Sequence, residues 1–176
     1  GASSGLAGTI ASGLSGLATV APYLAAAAVL YKGLSMGEKQ KTGTTVTGNL
    51  GTQDLMRNVS WNQEGGFLRG DRSGVWSYGL SNSTAIQDGK AYTDPANMES
   101  DKALLNQLTS MYSAMKVASG EYAKALGLNA ESIKNRTDSI NFSFGKTAEE
   151  TSTNISKAFE AINNSIAKEL DQFNNS

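Results

Sequence analysis

The first 34 residues constrain this chain more than any other stretch. They carry no charge before Lys32, and Gly, Ala, Ser and Thr fill much of the run. A bilayer core about 30 Å thick needs about 20 apolar helical residues to cross it, so the run is long enough. Its large apolar residues are few, which makes a permanent single-pass anchor a poor description. Leu6, Ile10, Leu14 and Leu17 step by four, four and three, which predicts one apolar stripe along a helix. Gly8, Ser12 and Gly16 recur four apart on another row. Small residues at that spacing let helix backbones approach closely, in lipid or in a tight bundle. Pro22 either kinks one long helix or opens a second. Two readings stay open: a helical hairpin buried in a protein assembly, and a segment buried in one state that enters a membrane in another.

No secretory signal peptide is expected. There is no initiator Met and no basic leader, and the apolar run outlasts the usual 7–15 residues or so. The chain is expected to be a fragment or processed piece of something larger. Its 176 residues suit one domain with an appendage. We therefore expect an apolar helical arm over residues 1–34 and a small α+β domain over residues 35–176.

The side-chain inventory removes whole classes of function. The formal charge of −1 argues against a dedicated or sequence-specific nucleic-acid binder, which would show a basic surplus. With no Cys there is no disulfide framework and no thiolate metal site. With no His, the commonest general base, metal ligand and physiological pH switch are all missing.

Past the arm, residues 35–41 read as a short charged turn, with Gly37 as a helix stop. Residues 42–90 read as antiparallel β-structure with many turns. Thr44, Thr45, Val46 and Thr47 favour an extended backbone. Val59 and Trp61 share one face of a second candidate strand, and Trp76, Tyr78 and Leu80 alternate in a third. Trp61 and Trp76 read as the core of a small sheet rather than a carbohydrate platform. The Gly-rich loop between these strands contains Arg69-Gly70-Asp71. We read it as a turn in which Asp71 bonds local backbone, not as an integrin ligand.

Asp94-Pro95 reads as the capped start of a helix. Leu104, Leu108, Met111, Met115, Ala118 and Tyr122 then recur every three or four residues, with Leu105, Tyr112 and Leu126 widening the stripe. A helix over residues 95–126, stopped by Gly127, is expected. Residues 131–134 read as a short helical turn. Ile140, Phe142 and Phe144 alternate with Ser and Asn, which predicts a strand. Thr147 and Glu150 form a capping-box pattern. The helix behind it places Ile155, Phe159, Ile162 and Ile166 on a narrow stripe, which suits a coiled-coil seam or a helix lying on a sheet.

No motif for chemistry is present: no P-loop, no GxGxxG, no HExxH and no EF-hand loop. No enzyme activity, cofactor or metal is expected.

The order of these features resembles the C-terminal region of the tape measure proteins of long-tailed bacteriophages. There, an apolar Gly/Ala-rich segment is followed by a short β-rich part with a Gly-Gly loop before an aromatic strand. Here the loop is Gly65-Gly66-Phe67-Leu68-Arg69-Gly70-Asp71, and the strand holds Val75-Trp76-Ser77. A helix ending in Leu126-Gly127-Leu128, a Phe-bearing strand and a last helix opening at Thr147-Ala148-Glu149-Glu150 complete the order. Gly70, which splits the Arg-Asp pair, departs from the family pattern.

The resemblance implies a structural virion protein inside the distal end of the tail tube. It implies self-association, expected as a homotrimer through the arm and the last helix, and contacts with distal tail and baseplate hub proteins. It also implies entry of the apolar segment into the host membrane on genome ejection. Two other classes compete with it. One is a membrane-anchored surface or adhesin-type protein, for which basic flanks would be needed, and only Lys32, Lys39 and Lys41 qualify. The other is an envelope-degrading enzyme, against which the missing His and scattered acids argue.

Overall fold

A computed structural model describes residues 39–68 and 70–174. The stripe Leu6, Ile10, Leu14 and Leu17, the small-residue row Gly8, Ser12 and Gly16, and Arg69 of the loop lie outside the described residues.

The chain is α+β. Strands β1 (Lys39–Asn49), β2 (Asp54–Gln63) and β3 (Arg72–Gly79) form an antiparallel meander. A small antiparallel hairpin follows, β4 (Thr84–Gln87) and β5 (Lys90–Thr93). A 3₁₀ turn at Pro95–Asn97 leads into α1 (Met98–Ala125), then a single helical turn α2 (Glu131–Lys134). Strand β6 (Ser139–Ser143) returns to pair antiparallel with β1, and α3 (Ala148–Asn174) closes the chain. The main sheet therefore has the order β3-β2-β1-β6.

Register decides which side chains meet. Val46 lies opposite Arg57 on one side and Phe142 on the other, and Val59 lies opposite Thr44 and Trp76. Because strand side chains alternate, Thr44, Val46, Leu55, Arg57, Val59, Ile140 and Phe142 share the inner face, and all are buried. The outer face is mostly Thr, Ser and Asn, with Met56 and Val75 among them. There Asn58 Nδ2 donates to Thr45 Oγ1 at 3.3 Å and Thr47 Oγ1 at 2.8 Å, and Ser77 Oγ donates to Asn58 Oδ1 at 2.7 Å. A one-residue slip would bury this polar row, so the alternation pins the register. Gly48, at φ +143°, is required where it stands. A Cβ there would sit 2.0 Å from the Asp54 carbonyl oxygen.

Both long helices contribute to one core with the inner face of the sheet. Leu104, Leu108, Met111 and Met115 of α1 are buried together with Ile155, Phe159, Ile162, Ile166 and Leu170 of α3. Of the two uses open to the α3 stripe, the helix lying on a sheet is the one found. The capping residue acts as its sequence suggests, with Glu150 N–H donating to Thr147 Oγ1 at 3.1 Å. The return bond from Glu150 goes one residue further back, to Lys146 N–H at 2.7 Å. At the end of α1, Gly127 (φ +76°) lets its N–H reach Lys124 O at 3.0 Å, while Leu128 N–H reaches Ala123 O at 2.9 Å. This is the left-handed glycine stop expected of that position.

Four expectations need correction. Residues 39–41 are strand, not turn, because β1 pairs back as far as Lys39 opposite Gln63. The long helix begins at Met98 rather than at Pro95, since the Asp94 carboxylate does not cap it. That carboxylate accepts instead from Asn97 Nδ2 at 2.8 Å and Arg57 Nη2 at 3.4 Å. The buried row of α1 continues from Met115 through Ser119 and Ala123, leaving Ala118 and Tyr122 on its flank and Leu126 exposed. Ser119 is tolerated there because its hydroxyl donates to Met115 O at 2.6 Å. Finally, the β4–β5 hairpin was not foreseen. Its turn is Asp88-Gly89, both at positive φ, the two-residue chemistry that tight hairpins favour.

Candidate interaction surfaces and the buried ion pairs

The loop between β2 and β3 is the most exposed apolar feature of the described chain. Asp71 Oδ1 accepts from Gly65 N–H at 2.8 Å, which closes the base of the loop as expected of a local Asp turn. Beyond that bond Phe67 is 99 % exposed and Leu68 93 %. A Cβ on Gly66 or Gly70 would meet nothing within 4 Å. Below the loop, Trp61 and Trp76 lie with ring centroids 5.9 Å apart, on the inner face of neighbouring strands. Gly74, opposite Trp61, leaves room for that indole, since a Cβ there would lie 2.6 Å from its Cζ2. Of the loop residues singled out in the sequence, Gly65, Gly66, Phe67, Asp71 and Trp76 are thus gathered at one end of the sheet.

The proposed helix seam is a different matter. Ile155, Phe159 and Ile166 are 0 % exposed and Ile162 is 5 % exposed within a single chain. They pack on their own sheet and on α1, so they offer no seam to a second copy. A narrow stripe cannot be distinguished in sequence from a coiled-coil face, because both ask for apolar residues every three or four positions.

Sequence reasoning missed two polar clusters. The first centres on Arg57, whose side chain is 1 % exposed. Its Nε reaches both carboxylate oxygens of Asp101 at 3.1 Å, and its Nη2 reaches Oδ2 at 3.0 Å. Ser83 Oγ donates to the same Oδ2 at 2.6 Å. The Tyr78 ring covers the guanidinium at 4.4 Å. Burial pushes the Asp101 carboxyl up from its ordinary range, against the pull of Arg57 and the Ser83 bond. Burial and the Asp94 charge likewise raise the Tyr78 phenol. The cluster ties β2, the residues flanking the small hairpin and the first turn of α1 together.

The second cluster joins α1, the α2–β6 connection and α3. Arg136 grips Asp138 with two bonds of 2.9 Å and also pairs with Glu169. Tyr112 Oη donates to Asp138 Oδ2 at 2.6 Å, and Lys116 Nζ donates to Arg136 O at 2.8 Å. Burial, then the Asp138 hydrogen bond, hold the Tyr112 phenol well above its usual range. Burial opposes the Arg136 charge, yet Asp138 and Glu169 hold it more firmly than usual.

Both clusters link separate elements of the fold. Their carboxylates are occupied by guanidinium groups, and no group of three or more His, Cys, Asp or Glu able to hold a metal occurs among the described residues. An open groove of about 510 Å³ runs beside Tyr112, Lys116, Val117 and Gly120 of α1, Lys134 of α2 and the β1–β2 turn. Its rim carries Lys116, Lys124 and Lys134 together with Glu121 and Glu131. No helix among the described residues is long and apolar enough to cross a membrane. Compared with protein-family models, with curated proteins and with solved structures, the chain matches none.

Proposed function

We propose that this chain is the C-terminal, tail-tip part of a tape measure protein of a long-tailed bacteriophage. In this reading it is a structural virion protein without enzyme activity. Its α+β domain contacts distal tail and hub proteins, and its apolar arm assists genome ejection through the host envelope. Self-association, as a trimer, belongs to the same reading and rests on the arm rather than on the occupied face of α3.

The observation that carries the proposal is the placement of the Gly65–Asp71 loop. One of the stretches whose order makes the family resemblance stands clear of the fold, with Phe67 and Leu68 almost fully in solvent. Its apolar side chains therefore serve no packing need of this domain. Exposed apolar groups gathered at one spot mark contact surfaces.

The test is direct. Tailed particles are purified from cells carrying the gene and searched by mass spectrometry for peptides of this chain before and after triggered ejection. The proposal expects the peptides to co-purify with intact tails and to leave them on ejection. Peptides found only in the cell envelope, with none in particles, would overturn it in favour of a membrane-anchored surface protein.

A further inference from the structure

We infer that the outer edge of β3 pairs with the same edge of a second copy of this chain, antiparallel and centred on Val75, so that two four-stranded sheets join into one. This contact belongs to the α+β domain. It does not rest on the proposed function, and it is separate from any association through the arm.

Strand β3 ends the main sheet. Leu80 N–H donates to Leu55 O at 3.0 Å, which fixes the alternation of its backbone groups. Arg72, Gly74, Trp76 and Tyr78 turn theirs toward β2, so Ser73, Val75 and Ser77 turn theirs outward. The turn into β4 takes up Gly79 O, which accepts from Ser83 N–H at 2.7 Å. Among the described residues no backbone–backbone bond reaches the outward side of Ser73, Val75 or Ser77. Uncovered edges are normally blunted by brevity, Lys, Pro or a bulge. The opposite edge follows that rule: β6 is five residues long, and Asn154 Nδ2 donates to Ser143 O at 2.9 Å. Strand β3 does not. It is eight residues long, in unbroken register with β2 and without Lys or Pro, and its Val75 is 58 % exposed.

The residues of the edge identify its occupant. An antiparallel copy centred on Val75 sets Val75 against the partner's Val75 and Ser73 against the partner's Ser77. All of these have outward backbone groups, and each such pair exchanges two bonds. On the other face of the strand Trp76 meets the partner's Gly74, which has no side chain to obstruct the indole. Tyr78 meets the partner's Arg72, a cation beside an aromatic ring. Large stands against small, hydroxyl against hydroxyl and cation against ring, so the strand is its own complement.

Charge at the axis tests this. Because Val75 is exposed, Val75→Lys and Val75→Glu should fold with an unchanged circular dichroism spectrum. Each sets like charges face to face across the axis, which opposes pairing. In sedimentation velocity of the full-length chain in mild detergent, wild type should gain mass with concentration up to a paired assembly. Each variant alone should show about half that mass, and a one-to-one mixture of the two should regain it. The chain has no Cys, so Val75→Cys introduces a single thiol. Across the axis the two Cα atoms stand about 5.5 Å apart, within reach of a disulfide. Mild oxidation should give a covalent dimer for Val75→Cys and not for Ile86→Cys, although Ile86 is the more exposed at 70 %. A wild type that is monomeric at every concentration overturns the inference together with the self-association in the proposed function. An assembly whose mass Val75→Lys leaves unchanged overturns the inference alone. So does a mixture that stays at half mass, or equal cross-linking at the two positions.

Discussion

Replacing Asp101 by Asn should be among the most damaging single substitutions in the domain. The side chains of Arg57 and Asp101 are 1 % and 5 % exposed, and three bonds of 3.0–3.1 Å join them. Asn preserves the shape but removes the charge. Arg57 then keeps the Asp94 carboxylate, at 3.4 Å and on a side chain 22 % exposed. Breaking a buried pair from one side costs about 3–5 kcal/mol, because the remaining charge stays buried without its counter-ion. For a chain of this size each kcal/mol lowers the melting temperature by about 2–4 °C, so a fall of about 6–20 °C is expected. Removing both charges with Arg57→Met and Asp101→Leu should recover most of the loss. The desolvation cost of the pair disappears with the pair, while the Ser83 and Asp94 bonds are left short, at about 1 kcal/mol each. Urea unfolding followed by far-UV circular dichroism, run on both variants and on the wild type, measures the cycle. A loss below about 1 kcal/mol for Asp101→Asn, or a double variant as unstable as the single one, would refute the view of this cluster as a buried ion pair holding β2 to α1.

Phe159→Ala removes a fully buried ring from the centre of the α3 stripe and should cost about 3–5 kcal/mol in the same urea experiment, where a coiled-coil seam would instead show a concentration-dependent loss of mass by sedimentation. Thr147→Ala, by deleting the bond to Glu150 N–H, should cost about 1 kcal/mol and shorten hydrogen-exchange protection at the start of α3. Tyr112 predicts an alkaline limit. Its phenol is raised in the fold, so the native state keeps a proton that the unfolded chain releases near pH 10. Its contribution is complete below that pH, and stability falls as pH rises beyond it. Tyr112→Phe should flatten the fall, and equal slopes for the two proteins would contradict the buried phenol.

What the sequence disclosed is what periodicity encodes. Ile140 and Phe142 alternate with polar residues and form β6, and Ile155 to Ile166 step at helical intervals and form the buried face of α3. Thr147 and Gly127 act at the helix ends where their chemistry placed them. The clusters were invisible because each joins residues far apart in the chain: Arg57 and Asp101 are separated by 44 positions, Arg136 and Glu169 by 33. A partial signal existed. Arg57 occupies an inward position between Leu55 and Val59, where a charge demands a partner, but nothing local names which one. Asp101 looked like an ordinary acid in the first turn of a helix. Likewise Asp88-Gly89 was a hairpin signal left unused, and the exposure of Phe67 could not be read from a Gly-rich loop that a neighbouring element might have covered.

Where the apolar surface remains decides which side of the domain faces partners. The described residues leave seven large apolar side chains exposed: Phe67, Leu68, Val75, Ile86, Tyr92, Val117 and Leu126. Five of the seven fall between residues 67 and 92, on the β2–β3 hairpin and the small β4–β5 hairpin beside it. The helices, by contrast, turn their apolar rows inward apart from Val117, and give Asp101 to Arg57 and Glu169 to Arg136. A substitution on the inner stripe of α1 or α3 therefore acts on folding first and on assembly only through it. Substitutions at Phe67, Leu68, Val75 and Ile86 leave the core untouched, so any loss of binding they cause belongs to the contact itself. That asymmetry follows from the fold: with one sheet face buried by helices and the other mostly Thr, Ser and Asn, most exposed large apolar side chains of the described residues lie on the two β-hairpins.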